Sequence, residues 1–171
     1  MTRLQTIVTH LEMEPPYRQD TGDINWPESV ALTKVNSMPL RAYRDIYDRV
    51  GRKWHWVNRR KLGDRQLADI IHHPATQIYQ LTRNDTPIGF IELNYRLFPQ
   101  VEIVFIGLVE SEIGQGLGPL LVRQALSIIK ARAPSRIIIQ TCTLDHPSAL
   151  GLYQKHGFTA YNRKQVEIID D

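Results

Sequence analysis

Cysteine is almost missing from this chain. The single one, Cys142, leaves no internal disulfide to form, so a buried core must hold the fold, and a reducing compartment suits it. Long apolar runs are missing too. No stretch approaches the roughly 20 residues that a spanning helix needs, which excludes a membrane helix. The opening MTRLQTIVTHLEMEPP has neither a long apolar centre nor a small-residue cleavage site. It predicts no signal peptide, and the default expectation is a cytoplasmic protein. Charge of one sign is scarce: the net value is +3. That suits an anionic ligand but does not by itself argue for nucleic acid. Internal repeats and low-complexity tracts are absent. Two nucleotide signatures also fail. There is no Gly-Lys-Ser/Thr, and the glycine cluster at 114–118 is followed by Pro119 rather than by the spacing of a dinucleotide loop.

What is present has the make-up of an ordinary globular domain, with 42% apolar and 23% charged residues. The length of 171 residues supports one core, and one domain is expected over residues 1–171. The most informative stretch is Val101–Lys130, VEIVFIGLVESEIGQGLGPLLVRQALSIIK. A dense apolar run passes through Gly114, Gly116 and Gly118 into an amphipathic helix pattern. Such a turn holds phosphate well. The helix start offers unpaired N–H groups and partial positive charge, and glycine lets the backbone come close. The plainer reading is a tight turn with no ligand.

The rest of the chain supplies the frame. Residues 3–13 and 29–36 are strand candidates, and the polar, proline-rich residues 14–29 predict a loop. Leu40, Tyr43, Ile46, Tyr47 and Val50 recur at helical spacing up to Gly51. Asp64 predicts the N-cap of a second helix, which ends before Pro74. TQIYQLTR and IGFIELNYR, joined at residues 84–87, predict an antiparallel hairpin. QVEIVFIGLV reads as a strand buried on both faces. Pro119 suits the first helical position, with Leu117, Leu121, Ala125 and Ile128 as the apolar stripe. RIIIQTCT is a further strand, 147–156 a short helix and 158–169 a last strand. Cys142 reads as a small core residue. The order predicts an α+β fold: a mixed, mostly antiparallel sheet flanked by helices. The strands on either side of the glycine-loop helix should be parallel neighbours.

Leu144–Phe158 adds a second motif, LDHPSALGLYQKHGF. A glycine loop and helix, a buried strand, and then A-x-x-L-Y-x-K-x-G-F together resemble the GNAT superfamily, the GCN5-related N-acetyltransferases. The resemblance covers residues 76–160. It departs at Ile113, where the family's loop usually has Arg or Gln, and at His146, where Asn is common. It implies acetyl-CoA as co-substrate and a splayed parallel strand pair as its slot. It further implies pantetheine contacts from the main chain of Leu108 and Val109. Gln115, Gly116, Leu117, Gly118 and Pro119 would meet the pyrophosphate, with Ile113, Gly114 and His146 as further cofactor-binding positions. Tyr153 matches the tyrosine that protonates the departing thiolate in many members; a rim tyrosine is the alternative. Glu102 stands where the histone-acetylating branch has its general base, and a merely solvated glutamate is the alternative. Glu92, on the preceding strand, competes for that role. No metal is implied.

The acceptor side is aromatic and basic. Tyr47, Trp54 and Trp56, with Glu92, are the candidate acceptor contacts, and the aromatic faces could cage an ammonium. The expected partner is a small-molecule or peptide amine, and a homodimer is compatible. Two other readings stay open: a catalytically silent acyl-CoA sensor, and a nucleic-acid-binding module built on Trp54–Lys61.

Overall fold

Seven strands form one sheet: β1 (Thr2–Met13), β2 (Val30–Val35), β3 (Thr76–Arg83), β4 (Thr86–Asn94), β5 (Gln100–Leu108), β6 (Arg136–Cys142) and β7 (Thr159–Asp170). Their order across the sheet is β2-β3-β4-β5-β6-β1-β7. The helices are α1 (Leu40–Gly51), α2 (Asp64–Ile71), α3 (Leu117–Lys130) and α4 (Ala149–Lys155), with single 3₁₀ turns at Arg52–Trp54 and Glu110–Glu112. This computed structural model describes residues 1–20 and 22–171; Thr21, inside the predicted loop 14–29, lies outside them. Among the described residues, no helix is long and apolar enough to cross a membrane.

The α+β expectation holds in outline. β2, β3, β4 and β5 run antiparallel in turn. The β5–β6 pair is parallel. β1 then pairs antiparallel with both β6 and β7, so the earliest strand lies between the two latest. Nothing in local patterning pointed to that insertion.

α1 forms because its apolar residues share one face. Tyr43, Ile46, Tyr47 and Val50 are all buried, and each such side chain contributes about 1.5–3 kcal/mol by leaving water. Several local expectations need correction. The N-cap of α2 is Gly63, whose N–H donates to Gln66 Oε1 at 3.1 Å, and Asp64 is the first helical residue. α3 begins at Leu117, so Pro119 is its third residue. Pro119 is still tolerated, because first-turn N–H groups lack intrahelical partners. The buried stripe of α3 runs through Leu117, Leu121, Val122, Ala125, Leu126 and Ile129; Ile128 is only partly covered.

The larger correction concerns β5. Only Val101, Ile103 and Leu108 are buried in it, and Val104 to Gly107 are half-exposed. That partial exposure has a cause in the sheet itself.

Candidate active site

β5 and β6 stay paired only from Gln100↔Arg136 to Ile103↔Ile139. Directly beyond, the β4–β5 ladder passes from Leu93↔Ile103 to Glu92↔Phe105, which leaves Val104 as an extra residue. A bulge bends its strand and sharpens the twist. β5 turns away from β6 at this point, and its edge from Val104 onward is left without a strand partner on that side. Gly107 allows α1 to lie close over the bend, since a Cβ there would stand 2.6 Å from Val50 Cγ1. The gap opens into two cavities, one of about 450 Å³ and one of about 400 Å³.

The larger cavity runs from the β5 edge at Ile106–Leu108 to the glycine loop. Gly114 and Gly116 have φ of +84° and +81°. A Cβ built on either meets nothing within 4 Å. Glycine is therefore required by the backbone angle, and the loop surface is left bare of side chains. α3 starts there with no acidic residue in its first turn, so its partial positive charge is not cancelled locally. The buried Glu112 carboxylate accepts from Arg83 Nε at 3.2 Å and from its Nη2 at 3.0 Å, which anchors the turn before the loop. Leu108, Ile113, Gly114, Gly118, Pro119 and His146 line this cavity as expected positions. Val109 does not. It is buried, and its N–H donates to Ile88 O at 2.8 Å. Gln115 and Gly116 are exposed and lie off the wall; the Gln115 side chain donates to Ser111 O at 3.0 Å. Leu117 points into the core at 1% exposure. Any contact from these last three to a ligand is left to their main chain.

The smaller cavity is a hollow on the α1 side of β6, β1 and β7. Its wall comes from the segment after α1. Gly51 makes room for Trp56, because a Cβ there would stand 2.4 Å from the indole. Trp54 packs edge-on to His146 with centroids 5.2 Å apart. His55 Nδ1 is 2.6 Å from Asp170 Oδ2, and Arg60 donates to Asp170 Oδ1 at 2.6 Å. These two contacts fasten the end of β7 to the wall. They also hold the Asp170 carboxyl below its ordinary pKa, His55 first and Arg60 second.

Trp54, Trp56, Ile106, Asp145 and Tyr153 line both cavities. They mark the seam where contents of the two can meet. Tyr153 is 8% exposed, and its hydroxyl pKa is pushed up by burial and then by the nearby Asp145 charge. Asp145 was not foreseen. Its Oδ1 accepts from Trp56 Nε1 at 3.1 Å, and its Oδ2 accepts from Thr141 Oγ1 at 2.6 Å and Cys142 N at 3.0 Å. In sequence it looks like one more turn residue after a strand, and only its proximity to His146 hinted at a site. Cys142, read as core, is half-exposed and lines the hollow.

Glu102 and Glu92 separate clearly. Glu102 is half-buried beside this region but lines neither cavity. Burial raises its pKa, the Arg59 charge opposes that rise, and Glu92 adds to it. Glu92 is 1% exposed, with Oε1 accepting from Tyr43 Oη at 2.5 Å and Oε2 from Arg59 Nη2 at 2.6 Å. Both oxygens are taken, so the expected acceptor contact at Glu92 is replaced by a structural ion pair. Tyr47 is 1% exposed and its hydroxyl accepts from Arg59 N, though the residue still lines the hollow. The basic run Trp54–Lys61 is largely turned inward. Arg59 and Arg60 side chains are 15% and 17% exposed and both are paired, which leaves little for a nucleic-acid strand. Among the described residues, no group of three His, Cys, Asp or Glu side chains is placed to hold a metal.

Residues 42–158 match the model of the Acetyltransferase (GNAT) family. The chain belongs to that family. Solved structures agree on the fold. A GCN5-related N-acetyltransferase from Sphaerobacter thermophilus superimposes with TM-score 0.69 at 12% identity, over 95% of this chain and 50% of that one. A conserved protein of unknown function from Staphylococcus epidermidis gives 0.65 at 14%, over 96% and 61%. The ribosomal-protein-S18-alanine N-acetyltransferase from Escherichia coli gives 0.63 at 16%, over 78% and 79%. The chain thus spans about half to three-fifths of the first two structures. Comparison with curated protein sequences finds no match.

Proposed function

We propose that this chain is an N-acetyltransferase that moves an acetyl group from acetyl-CoA to a primary amine by direct attack, with both bound at once. One observation carries the reading: the two cavities meet at Trp54, Trp56, Ile106, Asp145 and Tyr153. A carrier in one and an acceptor in the other would touch at a tyrosine.

The larger cavity fits the coenzyme by its chemistry. Its bare glycine loop and helix start suit a diphosphate, and its apolar channel with an open strand edge suits an extended arm. The coenzyme would supply a thioester, whose acetyl carbon accepts the amine nitrogen while its carbon–sulfur bond breaks. The open β5 edge at Ile106–Leu108 offers main-chain donors to orient the carbonyl. Tyr153 is protonated at neutral pH, as an ordinary phenol is, and burial reinforces that, so its hydroxyl has a proton to give to the leaving sulfur. The amine must also lose a proton. Glu102 lines neither cavity, so it takes that proton over a water relay, and burial lifts its pKa toward the range in which a carboxylate base works.

A coenzyme A release screen over an amine library tests the reading. Thiol release that depends on both acetyl-CoA and an amine is expected. A thermal shift with acetyl-CoA but no release with any amine would support the silent sensor instead.

A further inference from the structure

We propose that the acceptor is a primary amine that also carries a carboxylate, and that Lys164 binds that carboxylate. The inference rests on the reading of the hollow as the acceptor site. It follows from how charge is distributed there.

The hollow's wall holds a single Asp or Glu, Asp145, and a single Lys or Arg, Lys164. They stand at opposite sides. Asp145 is at the seam beside Tyr153, where the amine has to react. Its carboxylate has room for about four hydrogen bonds and uses three within the protein. One position remains for an ammonium or amine N–H. Lys164 is on β7, two strands away. Cys142 aligns with Val8 on β1, and Val8 aligns with Lys164. At the usual strand spacing, the Cα atoms of Cys142 and Lys164 are about 10 Å apart. Between the charged ends lies the apolar surface of Cys142 and Val8.

Lys164 is exposed, and among the described residues no carboxylate is within ion-pair distance of it. Asp170, at the end of β7, is already held by His55 and Arg60. His10, two residues along β1 from Val8, adds a further hydrogen-bonding group to the lining. A diamine, polyamine or aminosugar would place its second cation against Lys164. An amino carboxylate would meet opposite charge at both ends.

The test uses the whole chain saturated with coenzyme A. Three matched series serve as probes: ω-amino carboxylates of roughly four to eight carbons, spanning the strand-spacing estimate, their amides, and the corresponding diamines. Thermal shift reads binding, and thiol release from acetyl-CoA reads turnover. In the parent protein the carboxylate series should bind about three- to fivefold more tightly than the amides, the scale of a solvent-exposed ion pair. Lys164→Glu, at an exposed site, should keep the unliganded melting temperature and reverse the order in favour of the diamines. Equal binding of amides and carboxylates overturns the proposal. So does an unchanged ranking in Lys164→Glu, or no binding by any series at millimolar concentration. If coenzyme A itself gives no shift, the cofactor reading fails first and this one falls with it.

Discussion

Replacing Arg59 with methionine should strand a carboxylate in the core. Glu92 is 1% exposed and its Oε2 is 2.6 Å from Arg59 Nη2, so no water stands ready to replace the guanidinium. Breaking a buried pair from one side costs about 3–5 kcal/mol. For a domain of this size, each kcal/mol moves the midpoint by about 2–4 °C, so a fall of about 6–20 °C is expected. Glu92→Gln in the same chain removes the stranded charge and keeps a carbonyl to accept from Tyr43 Oη. The double variant should therefore recover most of the loss. Urea unfolding at neutral pH measures all three proteins. If the double variant is as unstable as Arg59→Met, an unpaired charge is not the cause and the reasoning fails. The same variants shift the pH–rate profile. A base works deprotonated, so activity falls as pH drops through its pKa. Arg59 holds the Glu102 pKa down against burial, and Glu92 pushes it up. Arg59→Met should move the acidic limb to higher pH, and the double variant should bring it back toward the parent.

Three further outcomes follow from the geometry. Glu102→Gln should lower turnover and remove the acidic limb, yet raise the melting temperature near pH 8. The folded pKa is raised, so the parent loses stability as pH rises through it; below about pH 4, where the unfolded carboxyl is also protonated, the two melting temperatures should converge. Tyr153→Phe should cut kcat by about 10²-fold or more with little change in acetyl-CoA affinity, measured by steady-state kinetics and calorimetry. Gly107→Ala places a Cβ 2.6 Å from Val50 Cγ1. It should cost about 1–3 kcal/mol in overpacking and raise the KM for acetyl-CoA, because α1 or β5 must shift at the slot.

The parts that were readable along the chain share a physical reason. α1 declares itself through Tyr43, Ile46, Tyr47 and Val50, and the glycine loop through backbone angles that other residues resist. Such signals are local. Pairings across the fold are not. No pattern in Thr2–Met13 says that it inserts between Arg136–Cys142 and Thr159–Asp170, because an alternating strand suits many neighbours. The bulge at Val104 was invisible for the same reason: it exists only in the register between β4 and β5. Glu92 and Glu102 look alike in sequence, and Arg59, a remote partner, is what separates them. Asp145 gained its meaning only when Trp56, 89 residues away, was found bonded to it.

The insertion of β1 has a consequence for how the chain is made. During synthesis β1 precedes β6 by more than a hundred residues, and its other neighbour, β7, emerges last. Until β6 emerges it has two open edges and nothing to pair with, and one edge stays open until β7 follows. Contacts this distant in sequence form slowly, and an unpaired apolar strand invites association with other chains. The half of the sheet that carries Lys164 should thus assemble after the half that carries the bulge. A nascent chain arrested before residue 136 should expose β1 to protease while the β2–β5 meander is already protected.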